Sequence, residues 1–146
     1  MKNKSLGNIT NLFISKKNIK KRVEENEITL DENGVILDKF YNQNIQRSVL
    51  ISSINGYEVA RKKNININYG ELGENIVVDF DISEIQASDK LKIGEVELEI
   101  TQACTICQSL AKIDPILPEL LKDDRGIFAR VIKEGTIKIN DKITRA

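Results

Sequence analysis

Six residues commit one stretch to a strand with two unlike faces. Val96, Leu98 and Ile100 alternate with Glu95, Glu97 and Glu99, the period of two that buries one face of a sheet and wets the other. The alternation stops at Thr101-Gln102, and Cys104 and Cys107, the two cysteines of the chain, follow at once. Leu110 and Ile113 then resume apolar spacing at a helical interval, which puts the cysteines in a strand-to-helix turn. A thiol in such a turn lies near backbone N–H groups and the positive end of a helix dipole, and both favour the thiolate. Chemistry in this chain is expected there.

The remaining sequence repeats the β theme in short pieces. Residues 6–14 read as a first strand, 35–37 as a short apolar one, and 47–52 as a compact strand opened by Arg47. Residues 76–80 and 91–93 are two more, and residues 127–132, the turn Lys133-Glu134-Gly135 and residues 136–139 make the clearest hairpin. Ser52 or Ser53 offers an N-cap for a helix to about Lys63, weakened by Gly56. Pro115 suits the first turn of a helix carrying Leu117, Leu120 and Leu121. Residues 64–68 alternate strictly but briefly; the basic run 16–22 reads as a solvated loop and 24–32 as its acidic counterpart. Gly70 and Gly73 read as turn glycines, their spacing matching neither a P-loop nor a dinucleotide fingerprint. Roughly eight or nine short strands with two or three inserted helices make a mainly β chain, a barrel or a sandwich. Residues 1–146 contain neither a repeat nor a linker and read as one domain.

Composition matters mostly for what it excludes. Lys plus Arg and Asp plus Glu number 22 each, and there is no histidine. Zero net charge gives no footing for nucleic acid or a membrane surface. No apolar run is long enough to span a bilayer, and Met1-Lys2-Asn3-Lys4 leads into no signal-peptide core, so a cytoplasmic location is expected. In that compartment two cysteines are thiols, metal ligands or redox groups rather than a structural disulfide. Without histidine there is no Ser-His-Asp or Cys-His pair, and two cysteines alone leave a tetrahedral zinc site half built. A general base has to be a carboxylate, Lys, Tyr, a thiolate or a group brought by a cofactor.

Four pieces then occur in one order: Gly73-Glu74-Asn75-Ile76; Gln102 with Cys107 five residues on; Gly126-Ile-Phe-Ala-Arg130-Val-Ile; and Gly135-Thr-Ile-Lys-Ile-Asn-Asp141. Together, over about residues 9–143, they resemble the MOSC domain, named for the C-terminal part of molybdenum cofactor sulfurase. The resemblance implies a closed β-barrel of short strands. It also implies a cysteine that carries sulfur as a persulfide or ligates the metal of a bound molybdenum cofactor (molybdopterin). Small free-standing members are linked to bacterial cofactor handling or to reduction of N-hydroxylated compounds, so a cysteine desulfurase or a molybdoenzyme is the implied partner. On this resemblance Cys107 is the family cysteine, as sulfur carrier or metal ligand, and Arg130, Arg47 and Asp38 fall on family positions. The Asp belongs to a Gly-Asp-x-His-x-Gly element, in which this chain has Leu37, Phe40 and Asn42 for the first glycine, the histidine and the last glycine. Cys104 stands where many relatives have arginine, Ile106 where proline is frequent, and Asn140 where glycine precedes Asp141.

The chemistry can be weighed on the residues alone. A sulfur carrier needs an accessible thiolate that attacks a desulfurase persulfide and later releases the sulfur. A pterin cofactor with its phosphate needs cationic donors, and Arg47, Arg125 and Arg130 are the candidates, with Glu74 and Asn75 beside them. Each has a plainer reading: surface ion pairs for the arginines, turn residues for Glu74 and Asn75, an inert buried residue next to Ile106 for Cys107. The competing function is a dithiol redox protein, since Cys104-Thr-Ile-Cys107 is a C-x-x-C in which Cys104 resolves an oxidised Cys107. No βαβ pattern precedes it, as one would in thioredoxin-like folds. A non-catalytic binding module is the third reading.

Overall fold

The computed structural model describes residues 5–104, 108–122 and 124–146. Seven strands close a mixed barrel: β1 (Ser5–Ile14), β5 (Val49–Ser53), β6 (Ile76–Val78), β7 (Lys90–Ile93), β8 (Val96–Ala103), β9 (Ile127–Lys133) and β11 (Lys142–Arg145). Around the ring the order is β11-β7-β8-β9-β5-β6-β1, and β1 pairs with β11 again to shut it. Only β5 and β6 run parallel, as they must when the chain leaves the top of β5 through helix α1 (Ile54–Lys62) and returns. β2 (Val23–Glu25) extends the ring beyond β1, while β3 (Glu27–Asp31), β4 (Gly34–Val35) and β10 (Gly135–Lys138) form a separate three-stranded sheet.

The alternating stretch behaves as its period demands. Val96, Leu98 and Ile100 are buried inside the barrel with Ile9, Leu12 and Ile51, while Glu97 and Glu99 stay partly exposed. Gly94, at φ +60°, opens the two-residue turn that joins β7 to β8 with Ile93 opposite Val96. A second apolar cluster lies outside the barrel, where Tyr57 and Ala60 of α1 meet Leu110 of α2 (Gln108–Ile113), Leu117 of α3 (Leu117–Leu120) and Leu121. Ser53 caps α1, its Oγ accepting from the Asn55 N–H at 3.1 Å.

Several expectations need correction. Residues 127–139 do not form a hairpin: β9 pairs with β8 and β5, and β10 with β3. Glu134 alone separates the two strands, too little chain to fold back in register, so the backbone turns a corner from one sheet into the other. The acidic stretch 24–32 holds β2 and β3, where Ile28 and Leu30 are buried between charged neighbours. Residues 64–68 form no strand, Ile65 and Ile67 instead covering the helices. Arg47 ends a 3-10 turn (Ile45–Arg47) ahead of β5, and Pro118 rather than Pro115 sits in the first turn of α3. Eleven strands are present among the described residues.

Candidate functional site

One buried carboxylate organises the end of the barrel. Asp38 accepts from the Ser15 N–H at 2.6 Å and the Phe40 N–H at 3.0 Å, fixing the loop after β4 against the end of β1. The Asn75 amide donates to Asp38 at 3.4 Å and to the Phe13 carbonyl at 3.2 Å, and its Oδ1 accepts from the Leu50 N–H at 3.1 Å. Asn75 thus ties β1, β5 and the Asp38 loop together with every polar atom of its side chain. The 3-10 turn carrying Arg47 is held to β8 by the Thr101 hydroxyl, which donates to the Gln46 carbonyl.

These elements enclose a cavity of about 370 Å³. Its walls include Arg22, Arg47, Phe40, Leu50, Cys104 and Phe128. The Arg47 guanidinium lies over the Phe128 ring at 4.7 Å from its centre, and Arg22 approaches the Phe40 ring at 5.9 Å. Arg22 Nη1 stands 3.6 Å from Asp38 Oδ1, an ion pair with side chains 14% and 5% exposed. Burial works against the Arg22 charge, and the nearby Asp38 and Glu74 carboxylates support it. Neither guanidinium has a hydrogen bond within the described residues, and Arg22 Nη1 and Arg47 Nε are both shut off from water.

A second cavity of about 560 Å³ opens on the other side of Cys104 and is bordered by Asp81, Ile82, Lys122, Arg125 and Gly126. Cys104 is a buried free thiol packed with Leu50 and Phe128, and it contributes to the wall of both cavities. Its N–H donates to the Gly126 carbonyl at 2.9 Å, so the backbone just past β8 is fixed to the residue before β9.

The residues singled out in the sequence divide accordingly. Arg47, Asn75 and Cys104, from three separate stretches, meet at the first cavity; Arg125 borders the second and donates to the Pro118 carbonyl. Glu74 lines neither. It is fully buried behind the barrel end, its Oε2 accepting from Ser52 at 2.5 Å and from the Tyr57 hydroxyl, with Oε1 unmatched. Burial pushes the Glu74 carboxyl up, the two hydroxyls partly offsetting it, and burial beside Glu74 pushes the Tyr57 phenol up in turn. Arg130 also lines neither cavity and pairs with Glu99 across β8 and β9 at 2.6 Å. Cys107 lies outside the described residues. Sequence reasoning missed Arg22, the last residue of a run read as solvated loop; the signal available was a buried-type Asp38 with no assigned cation. Among the described residues no three His, Cys, Asp or Glu side chains cluster as metal ligands, and no helix is long and apolar enough to cross a membrane.

Fold and site together define a small closed mixed β-barrel with an arginine-lined cavity at one end. The chain belongs to the MOSC domain family, whose pattern matches residues 43–144, a family linked to molybdenum cofactor-related functions. Its fold is shared with the YuaD protein from Bacillus subtilis at TM-score 0.80 and 18% identity, over 99% of this chain and 97% of that one. YiiM from Geobacillus stearothermophilus superposes at TM-score 0.77 and 15% identity over 95% and 74% of the two chains. For YiiM from Escherichia coli the values are 0.67, 18%, 95% and 69%. No curated protein sequence matches the chain significantly.

Proposed function

We propose that this protein serves molybdenum cofactor chemistry as a sulfur carrier or cofactor-binding protein, with Cys107 holding a persulfide sulfur or ligating molybdenum. The observation that carries the reading is the meeting of Arg47, Asn75 and Cys104 at one cavity of about 370 Å³, three residues ahead of Cys107 in the chain. The donor set fits the cofactor: a buried Arg47 Nε without an acceptor beside apolar Leu50 and Phe128 suits an anion joined to a flat body. Arg47 would hold the anionic group, and Asn75 would keep the wall in place rather than bind, its polar atoms being taken. When bound, the cofactor supplies a metal open to a thiolate ligand.

Sulfur carriage needs only this chain and a donor, a pyridoxal-dependent cysteine desulfurase. The Cys107 thiolate attacks the outer sulfur of the donor's cysteine persulfide, and the donor thiolate leaves. Cys107 then bears the persulfide, whose outer sulfur is attacked by a cysteine thiolate of an acceptor protein such as a molybdoenzyme; the acceptor cysteine becomes the persulfide and the Cys107 thiolate leaves, restored. The transferred sulfur keeps its oxidation state, and no external oxidant enters.

The test is intact mass under oxygen-free, non-reducing conditions after incubation with desulfurase and cysteine. A gain of one sulfur in the wild type and in Cys104→Ser, absent in Cys107→Ser, is the expected result. Loading that persists in Cys107→Ser sinks the assignment. Loss of two hydrogens under mild oxidant, with no sulfur gained, turns the reading to the Cys104–Cys107 dithiol.

A further inference from the structure

We propose that one face of this protein docks on an anionic lipid bilayer, lying on the membrane surface rather than crossing it. The face is built from two connections, residues 15–22 between β1 and β2 and residues 36–47 between β4 and β5. The inference uses neither cysteine and no ligand in the cavity, and it stands apart from sulfur carriage.

The first ground is where the exposed apolar residues fall. Among the described residues eight large hydrophobic side chains are exposed, and five of them, Ile19, Ile36, Leu37, Phe40 and Ile45, belong to these two connections. Single exposed hydrophobics are ordinary; a gathering of them marks a contact surface. Leu37 is the most exposed, at 79%, and it holds φ 76°, a region that disfavours any side chain with a Cβ. Neither burial nor backbone preference favours a leucine there, so its use lies outside the fold.

The second ground is that the two connections adjoin. Ser15 N–H donates to Asp38 at 2.6 Å, and Lys39 N–H donates to the Ser15 carbonyl at 2.7 Å. At the other end, Arg22 lies 3.6 Å from Asp38 and 5.9 Å from the centre of the Phe40 ring. The excursion 16–21 therefore leaves and re-enters the fold beside residues 38–40. The same bonds hold the loop before any partner arrives, which lowers the ordering cost of docking.

The third ground is charge. Zero net charge overall conceals a local excess: residues 15–22 and 36–47 carry seven Lys and Arg against one carboxylate, Asp38. Lys16, Lys17, Lys20, Lys21 and Lys39 are exposed, and none is in an ion pair among the described residues. On the acidic side, Asp31 and Glu32 lie next to the loop, and Asp31 accepts from the Tyr41 hydroxyl at 2.5 Å. Lysine and apolar groups are interleaved here, with Lys39 Nζ 5.1 Å from the centre of the Phe40 ring. Protein interfaces keep lysine out of their apolar core. A lipid surface takes the two together, apolar tips entering the acyl boundary while ammonium groups stay among the headgroup phosphates. The interleaving favours a bilayer over a protein partner or a second copy.

The test is flotation of the full chain with vesicles of phosphatidylcholine alone and of phosphatidylcholine and phosphatidylglycerol in equal parts. Binding to the mixed vesicles only is expected, weakening as sodium chloride is raised. Leu37→Gly suits the backbone at that φ and leaves the fold intact, and it should weaken partition about tenfold. Lys39→Gln should weaken it about fivefold, the worth of one lysine near an anionic surface. Two controls should stay within about twofold of wild type: Ile116→Ser, an exposed apolar residue beside α3, and Lys142→Gln, opposite Asn8 toward the far end of β1. The chain has no tryptophan, so Phe40→Trp reports contact directly: its emission should shift to shorter wavelength on the mixed vesicles and be quenched by brominated lipid. No partition, equal partition onto neutral vesicles, an unshifted Phe40→Trp, or a Leu37→Gly that binds like wild type overturns the inference, as do equal losses in the two controls. Self-association of the wild type in sedimentation that Leu37→Gly abolishes would give the face to a second copy and overturn it likewise.

Discussion

Gly126 is the position where one added carbon should cost most. It sits at φ +119° immediately before β9, and a Cβ built there would stand 2.7 Å from the Ile51 carbonyl oxygen and 3.2 Å from a Leu50 methyl. Ile51 is a central barrel residue, paired with Ile127 on one side and Ile76 on the other, so its carbonyl has little room to retreat. Gly126→Ala therefore combines two penalties. A side chain in positive-φ backbone costs roughly 1–2 kcal/mol, reduced by about 0.4–1 kcal/mol because alanine stiffens the unfolded chain. Overpacking against fixed neighbours adds about 1–3 kcal/mol. Gly73 separates the two, since it lies at φ +88° with nothing within 4 Å of a built Cβ. Gly73→Ala should lose about 1 kcal/mol and Gly126→Ala about 2–4 kcal/mol, or roughly 3 °C against about 6–12 °C in Tm for a chain of this size. Urea unfolding followed by circular dichroism reads both. Equal losses in the two variants would mean that the barrel yields at Ile51, and the close-approach reasoning would fail.

Two further outcomes follow from the buried polar groups. Glu74 is held above its ordinary value of 4.5, chiefly by burial, so above that pH the folded state keeps a proton that the unfolded chain has given up. That contribution to stability is full below 4.5 and is lost as pH rises through the higher folded value. Glu74→Gln removes it, and the stability of the variant relative to wild type should climb as pH is raised from 4.5; a pH-independent difference in urea midpoints refutes this. Asn75→Ala strips the Leu50 N–H of its side-chain acceptor and the Phe13 carbonyl of a donor, at about 1–3 kcal/mol for a group left unsatisfied. Asn75→Asp, the same size, should lose at least as much stability in the same assay, because a second carboxylate would then face Asp38 at 3.4 Å.

What the sequence made legible was what local spacing determines. Val96, Leu98 and Ile100 show β8 by alternation, and Ser53 shows the start of α1 because a cap needs only its own hydroxyl and an N–H two residues on. β9 and β10 are obscured for the same reason: 127–132 and 136–139 look like a hairpin, but their partners, β8, β5 and β3, lie far off in sequence. In β3 the apolar pair Ile28 and Leu30 is hidden among Glu25, Glu27 and Asp31, charges that the exposed face tolerates. Within the candidate site, Arg47 and Cys104 were visible from position. Glu74 and Asn75 are neighbours with opposite fates, one sealed behind the wall and one in it, a difference that no local pattern encodes. Arg22 depends on Asp38, sixteen positions later and in another loop.

The departures from the family pattern at its glycines fall where this chain's backbone has the positive φ that glycine favours. Leu37, Asn42 and Asn140, each where the resemblance puts glycine, have φ of 76°, 59° and 74°. Asparagine enters that region more readily than other side chains, so two of the three replacements are mild. Leu37 is not: it is 79% exposed, so burial compensates little of its backbone cost, and the loop has to be held from outside. The holds are present. The Asp38 carboxylate takes the Ser15 and Phe40 N–H groups, Lys39 N–H donates to Ser15 at 2.7 Å, and Asn42 N–H donates to Asn33 at 2.8 Å. With the loop fixed in this way, Phe40 lines the cavity. Phenylalanine there gives up the proton chemistry of a histidine but presents a ring, against which Arg22 and Lys39 both come to lie. The frame is thus retained while the positive charge comes from a different strand connection. Arg22 enters the cavity wall from the connection between β1 and β2, with its buried Nη1 lacking a hydrogen-bond partner among the described residues.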